Sequence, residues 1–227
     1  GRLFECGFQA VLCPEFRGYA WSPGKPRLAA ICPDADCVME ALPEILKSAG
    51  LDPDPGIVVH GRSLGSACAV HVASKARDGG GISALIVESG VMTLLDLPMV
   101  RQLGVMMPEM LWMLRSEPCP LSTLEEMQQV RVPTLILHGD CDEISPAEQA
   151  VAAHSACGGT AKKLVRYPRC RHNDLRQVAH EEYYREMRAI CDLVASRAAP
   201  EAFLEAWPQD PGLLKKLSGA LRCLPGM

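Results

Sequence analysis

The chain has 227 residues, of which 48% are hydrophobic and 22% are charged, and its formal net charge is −4. This length suits one sizeable hydrophobic core, and the composition is ordinary for a globular protein. The weakly acidic balance gives no electrostatic reason to expect a nucleic-acid partner. The eleven cysteines are odd in number and contain no Cys-x-x-Cys spacing. This argues against a disulfide framework and a zinc site, so we expect a reducing, cytoplasmic compartment.

The order of apolar runs and helical patterns along the sequence predicts strands that alternate with helices. The predicted strands are short apolar runs at residues 9–14, 57–59, 82–87, 134–137 and 163–167. The predicted helices cover residues 34–48, with a kink or late start at Pro43, then 67–75, 148–155 and 173–196. Continuous apolar strands separated by helices indicate a mostly parallel, doubly wound α/β sheet with helices on both faces.

Three regions are predicted along the chain. Residues 1–198 form the α/β domain, and within it residues 91–129, which hold seven of the ten methionines, form a cap-like insertion. Residues 199–227 form a C-terminal tail, in which leucines and basic residues between 213 and 222 suit a short amphipathic helix. This tail is the one feature that suggests association with a membrane surface. The most apolar stretch, 91–114, is interrupted by charges and prolines, so we expect no transmembrane segment.

The segment around Ser63 carries the strongest chemical signal. Ile57-Val58-Val59 precedes Gly61-Arg62-Ser63-Leu64-Gly65, and a helical pattern follows it. Strand, Gly-x-Ser-x-Gly and helix together are typical of a nucleophile elbow, a strained turn that exposes a serine hydroxyl at the edge of a parallel sheet. The glycines are expected to leave room for the helix to pass the strand. Ser63 is therefore the predicted nucleophile.

A serine nucleophile needs a base and an acid, which follow it in the order serine, acid, histidine in this kind of fold. His172 lies directly after the last predicted strand and is the predicted base. Asp142 follows the preceding strand and is the favoured acid, with Asp140 expected to shape the same loop. Glu88, at the end of the strand before that, stays open as the alternative acid.

The remaining histidines are predicted to be structural: His60, His71, His138, His154 and His180. A metal site formed by His138, Asp140, Asp142 and His172 is the weaker interpretation, because no zinc spacing is present. We expect no cofactor and no metal. The oxyanion of an acyl-transfer reaction would be held by the backbone N–H of Leu64, which follows the nucleophile. The loop that normally supplies a second donor is not visible before Gln9.

Four segments in order resemble the α/β-hydrolase-domain serine hydrolases, a set that includes serine aminopeptidase-like proteins. They are Phe16-Arg17-Gly18-Tyr19, the Ser63 elbow, Val132 to Asp142, and His172-Asn173-Asp174. The resemblance covers residues 9–190 and implies an α/β-hydrolase fold that lacks its first strands. It implies Ser63 as nucleophile, Asp142 as acid, His172 as base and Leu64 as oxyanion donor.

We therefore expect a serine hydrolase that cleaves acyl esters, thioesters or small amides of small-molecule substrates through an acyl-enzyme. A second hypothesis is a catalytically weak or inactive hydrolase-fold protein used for binding, and it rests on the missing oxyanion loop. A third is a peptidase that removes N-terminal residues. A peptidase of that kind needs an acidic group for the free amine, and no residue in the sequence identifies one.

Overall fold

The computed structural model describes residues 2–52, 54, 56–76, 81–109, 111–112, 122–199, 202–203 and 205. Its four strands are β1 (Ile57–Arg62), β2 (Ile82–Glu88), β3 (Thr134–Gly139) and β4 (Lys162–Tyr167). Its helices in the described residues are α1 (Arg2–Glu5), α2 (Ile31–Ser48), α3 (Gly65–Lys75), α4 (Pro98–Met106), α5 (Leu124–Met127), α6 (Ala147–Ala156), α7 (Leu175–Val178) and α8 (His180–Ala195). Single 3-10 turns lie at Leu28–Ala30 and Leu94–Asp96.

The strands form one parallel sheet in the order β1-β2-β3-β4. Parallel neighbours require crossover connections, and α3 and α6 supply two of them. The register pairs Arg62 with Glu88, Glu88 with Leu137 and Gly139 with Tyr167. The carboxyl ends of the strands are therefore level, and the loops that follow them meet at one edge of the sheet.

Helices cover both faces of this sheet, as the alternating side chains of the strands require. On one face Ile86 and Leu137 pack in a core with Tyr183 and Met187 of α8. On the other face the buried strand residues Leu85, Val87, Ile136 and Leu164 pack with apolar residues of α3 and α6. The predicted parallel, doubly wound α/β architecture with helices on both faces is confirmed.

The predicted strand at residues 9–14 is wrong. This segment is irregular, and the side chains of Val11 and Leu12 are 44% and 49% exposed. An apolar run becomes a strand only when a neighbouring edge accepts its backbone hydrogen bonds. In the described residues this segment pairs with no strand, and the chain is instead attached just before it, where Cys6 is buried against α8.

Two predicted helices differ from the observed ones. Helix α2 begins at Ile31, before the aspartates expected to cap it, and runs unbroken through Pro43. Pro43 is exposed, so water can bond the carbonyl that its missing N–H leaves free. The single closing helix predicted for 173–196 is divided at Ala179 into α7 and α8. Arg176 of α7 and Tyr183 of α8 both bond the same buried carboxylate of Glu88 across this division.

The insertion at 91–129 is described only in part, and its role as a cap stays a prediction. Its described residues include α4, α5 and an antiparallel bridge between Thr93 and Ser122. Met99 and Met106 of α4 are 69% and 72% exposed. The amphipathic helix expected between 213 and 222 lies outside the described residues. None of the helices that the structure describes is both long enough and apolar enough for a membrane span.

Candidate active site

Ser63 occupies the sharp turn between β1 and α3. Its φ of 51° lies in the left-handed region, which is strained for a residue with a side chain. The turn is held because the Ser63 N–H donates to the carbonyl of Glu88 at 3.0 Å and the Ser63 carbonyl accepts the Ser66 hydroxyl at 2.6 Å. This backbone geometry is that of a nucleophile elbow.

His172 reaches Ser63 from the loop after β4. Its Nε2 lies 2.9 Å from the Ser63 Oγ, and its Nδ1 lies 2.8 Å and 3.0 Å from the two carboxylate oxygens of Asp142. His172 is 4% exposed and Asp142 is 8% exposed. The structure thus brings the three predicted residues into one continuous hydrogen-bonded chain.

Asp142 is oriented by its own loop. Its Oδ1 accepts the N–H groups of Ile144 and Ser145 at 3.0 Å and 2.7 Å. The Ser145 hydroxyl in turn donates to the carbonyl of Gly90, in the loop after β2, at 2.7 Å. The carboxylate is therefore held at a defined angle to the imidazole, with its charge shared by backbone donors.

Leu64 follows Ser63 as the N-cap residue of α3 and has helical backbone angles. Its backbone N–H belongs to the first turn of an eleven-residue helix, where unpaired donors and the helix dipole favour negative charge. This is the position that an oxyanion donor requires.

Glu88, the alternative acid, does not contact His172. Its Oε2 instead lies within 3.0 Å of His60 Nε2, Arg176 Nη2 and the Tyr183 hydroxyl. Burial by itself would raise the pKa of the Glu88 carboxyl, but the hydrogen bonds and charges of His60 and Arg176 lower it to about 2. Glu88 is therefore an anion that does not bond the imidazole, and its assignment as the orienting acid is wrong.

Of the four residues of the alternative metal interpretation, His138 and His172 lie 3.6 Å and 2.8 Å from the Asp142 carboxylate, whereas Asp140 lies apart from them. Asp140 pairs with Arg166 at 2.5 Å on the surface. His138 is fully buried, and its Nε2–H donates to the carbonyl of Ser145 at 2.8 Å. Burial lowers the pKa of His138, which favours the neutral ring that this bond needs.

Several residues that hold the site were missed in the sequence. The Ser66 hydroxyl accepts the Val91 N–H at 2.9 Å and so joins the elbow to the loop after β2. Arg62 bonds the base loop at the His172 carbonyl. The only available signal was proximity, because both residues lie within three positions of Ser63.

Comparison with known proteins gives one family match and several proteins of similar fold. The family described as "Serine aminopeptidase, S33" matches residues 121–177, the part that holds the Asp142 and His172 loops. An esterase from Pyrococcus furiosus has a similar structure, with a TM-score of 0.59 and 18% identity, over 85% of this chain and 69% of the esterase.

Two relatives extend the match beyond that segment. The chain is 33% identical over 168 residues to protein bem46 of Schizosaccharomyces pombe, covering 72% of this chain and 52% of that protein. It is 27% identical over 199 residues to the α/β hydrolase domain-containing protein aho-3 of Caenorhabditis elegans, covering 86% and 53%. The chain has the α/β-hydrolase fold and is similar to these relatives, and it spans about half of their length.

Proposed function

We propose that this chain is the catalytic unit of a serine hydrolase that cleaves acyl ester, thioester or small amide bonds. The observation that carries the proposal is the hydrogen-bonded chain from Ser63 through His172 to Asp142. A hydroxyl, an imidazole and a buried carboxylate in this order are the groups that nucleophilic acyl transfer needs.

The proposed reaction begins with a proton transfer. Asp142 accepts the Nδ1–H of His172, which leaves a lone pair on Nε2 directed at the Ser63 hydroxyl. As Oγ attacks the acyl carbon, Nε2 takes its proton, and the Leu64 N–H stabilises the negative charge that develops on the acyl oxygen. His172 then protonates the departing alcohol, thiol or amine, and an acyl-enzyme remains.

The second half of the reaction uses the same groups in reverse. His172 removes a proton from water, the resulting hydroxide attacks the acyl-enzyme, and Oγ leaves with the proton that Nε2 returns. The carboxylic acid is released and Ser63 is regenerated. The exposed Leu64 and Ile144, one and two positions along the chain from the nucleophile and the acid, favour an apolar acyl group.

A fluorophosphonate probe tests the nucleophile. We expect the chain to be labelled at Ser63 and the Ser63→Ala variant to lose labelling completely, because only an activated serine attacks the phosphorus. The matched control is Ser74→Ala, which removes a hydroxyl of α3 that donates, among the described residues, to the carbonyl of His71 in its own helix. Labelling that survives in Ser63→Ala contradicts the proposal.

Turnover separates esterase from peptidase activity. We expect hydrolysis of a short p-nitrophenyl ester that depends on Ser63, and slower cleavage of an aminoacyl p-nitroanilide. The family description alone favours an aminopeptidase. Faster cleavage of the anilide than of the ester would change the proposed activity from esterase to peptidase. The assignment of Ser63 as the nucleophile would stand.

A further inference from the structure

Glu88 is a buried anion that reaches both halves of the candidate active site. It ends β2, is 2% exposed and has ion-pair or hydrogen-bond partners on three elements, namely β1, α7 and α8. A buried carboxylate is costly unless it is paired and hydrogen-bonded, and this one is bonded by four side chains, His60, Arg62, Arg176 and Tyr183. The position of the carboxylate is therefore determined from several directions.

Arg62 extends this network to the base. Its Nε lies 3.3 Å from the Glu88 carboxylate, while its Nη2 donates to the His172 carbonyl at 2.9 Å and to the Asn173 side-chain oxygen at 2.5 Å. A guanidinium is planar and presents its donors in a rigid fork, so one end fixes the orientation of the other. Arg62 thus links the end of β2 to the loop that carries His172.

The same residue also holds the nucleophile. The carbonyl of Glu88 accepts the N–H of Ser63, whose φ is strained. Glu88 therefore bonds the elbow through its backbone and the base loop through its side chain and Arg62. His172 Nε2 and Ser63 Oγ belong to the base loop and the elbow, and Glu88 connects these two segments.

We propose that Glu88 and Arg62 are positioning residues that hold the His172 loop at hydrogen-bond distance from Ser63. This inference rests on the proposed serine hydrolase function. Neither side chain contacts the Ser63 hydroxyl or the imidazole in the described hydrogen bonds, so their effect reaches the reaction through the backbone of the base loop. Asp142 orients the imidazole of His172, and Arg62 positions the loop that carries His172.

Loss of the link is expected to slow the chemistry without weakening substrate binding. A displacement of about 1 Å in a reacting group can cost on the order of 100-fold in rate. For Arg62→Ala we expect kcat for a p-nitrophenyl ester and the fluorophosphonate labelling rate to fall about 10- to 100-fold, with KM changed less than about two-fold. Added guanidinium is expected to restore part of the lost rate.

Two further variants test whether the residues act as a unit. Glu88→Gln keeps the shape but removes the charge that orients Arg62, so we expect a smaller loss of kcat with KM again unchanged. Because Glu88 acts through Arg62, the double variant is expected to be no slower than Arg62→Ala. The matched control is Lys75→Ala. Lys75 lies at the C-terminal end of α3, away from Ser63, and pairs with Asp36, so we expect its loss to leave kcat unchanged.

Hydrogen exchange measured by mass spectrometry gives a readout that does not depend on activity. We expect amides of residues 169–174 to exchange faster in Arg62→Ala than in the unaltered chain or in Lys75→Ala. Absence of labelling in the unaltered chain would overturn the proposed function. Hydrogen exchange would still show whether Arg62 holds the His172 loop in place. Unchanged exchange, or additive losses in the double variant, would overturn the positioning role.

Discussion

Two aspartates in one loop show how the environment of a residue assigns its role. Asp140 lies at the surface and pairs with Arg166, whereas Asp142, two positions later, is buried and bonds two backbone N–H groups and His172. The two side chains have the same chemistry. Only Asp142 is placed where its charge acts on the imidazole.

Replacement of Asp142 by asparagine tests this difference. An amide in place of the carboxylate favours the wrong tautomer of His172, so we expect kcat to fall about 10³- to 10⁴-fold, as in other serine triads. Asp140→Asn is the matched control, and we expect it to change kcat less than about three-fold because a surface ion pair contributes little. Comparable losses in the two variants, measured with a p-nitrophenyl ester, would contradict the assignment of Asp142.

At the scale of elements, the crossing of β1 and α3 depends on one glycine rather than two. A Cβ on Gly61 would lie 2.6 Å from the Ala69 Cβ, the Gly65 carbonyl oxygen and the Ser66 Cα. A Cβ on Gly65 would have no atom within 4 Å other than those of its chain neighbours and of the backbone of its own helix. The helix thus approaches the strand at Gly61, and the expectation that both glycines provide this space holds only for the first.

Alanine at these positions is expected to have opposite effects on stability. Gly61→Ala must push backbone atoms of α3 away, so we expect a loss of about 1–3 kcal/mol in the free energy of unfolding. The methyl group of Gly65→Ala would enter open space, and alanine loses less backbone entropy than glycine when a helix forms. We therefore expect the free energy of unfolding to stay the same or to rise by up to about 1 kcal/mol. Urea denaturation of both variants measures the difference, and equal destabilisation would refute the close approach at Gly61.

At the scale of the whole molecule, two buried histidines make the stability of the fold sensitive to acid. His154 of α6 is 4% exposed, and burial together with the charge of Lys162 lowers its pKa from 6.5 to about 4. Between these values the unfolded chain binds a proton that the folded chain does not bind. Stability therefore falls as the pH decreases through this window. Burial of His138, whose pKa is also lowered, adds in the same direction.

The expected loss is measurable by thermal or urea unfolding at several pH values. From pH 7 to pH 5 we expect His154 to account for about 2 kcal/mol of lost stability. In His154→Gln we expect the loss of stability between pH 7 and pH 5 to be smaller by about 2 kcal/mol. His180→Gln, at the start of α8, serves as the control. An unchanged slope in His154→Gln would show that the buried ring is not the source.

Local patterns in the sequence were sufficient for the sheet and for the three residues at its edge. Apolar runs predicted β1 to β4, and the loops after β1, β3 and β4 contained Ser63, Asp142 and His172. Parallel strands end at the same edge, so residues that directly follow them are brought together by the fold class itself. The Ser63 elbow was visible because its strain requires a short, recognisable turn.

Contacts between distant segments were decided only by the tertiary structure. Glu88 looked like a candidate acid because it ends a strand, but its carboxylate bonds side chains of β1, α7 and α8 and not the imidazole. Arg62 and His172 are 110 positions apart, and no local pattern predicts their hydrogen bond. Residues 9–14 have the composition of a strand but pair with no strand in the part of the chain that the structure describes. Composition and spacing determine which elements form and which residues follow them, whereas the partners of a side chain depend on how those elements pack.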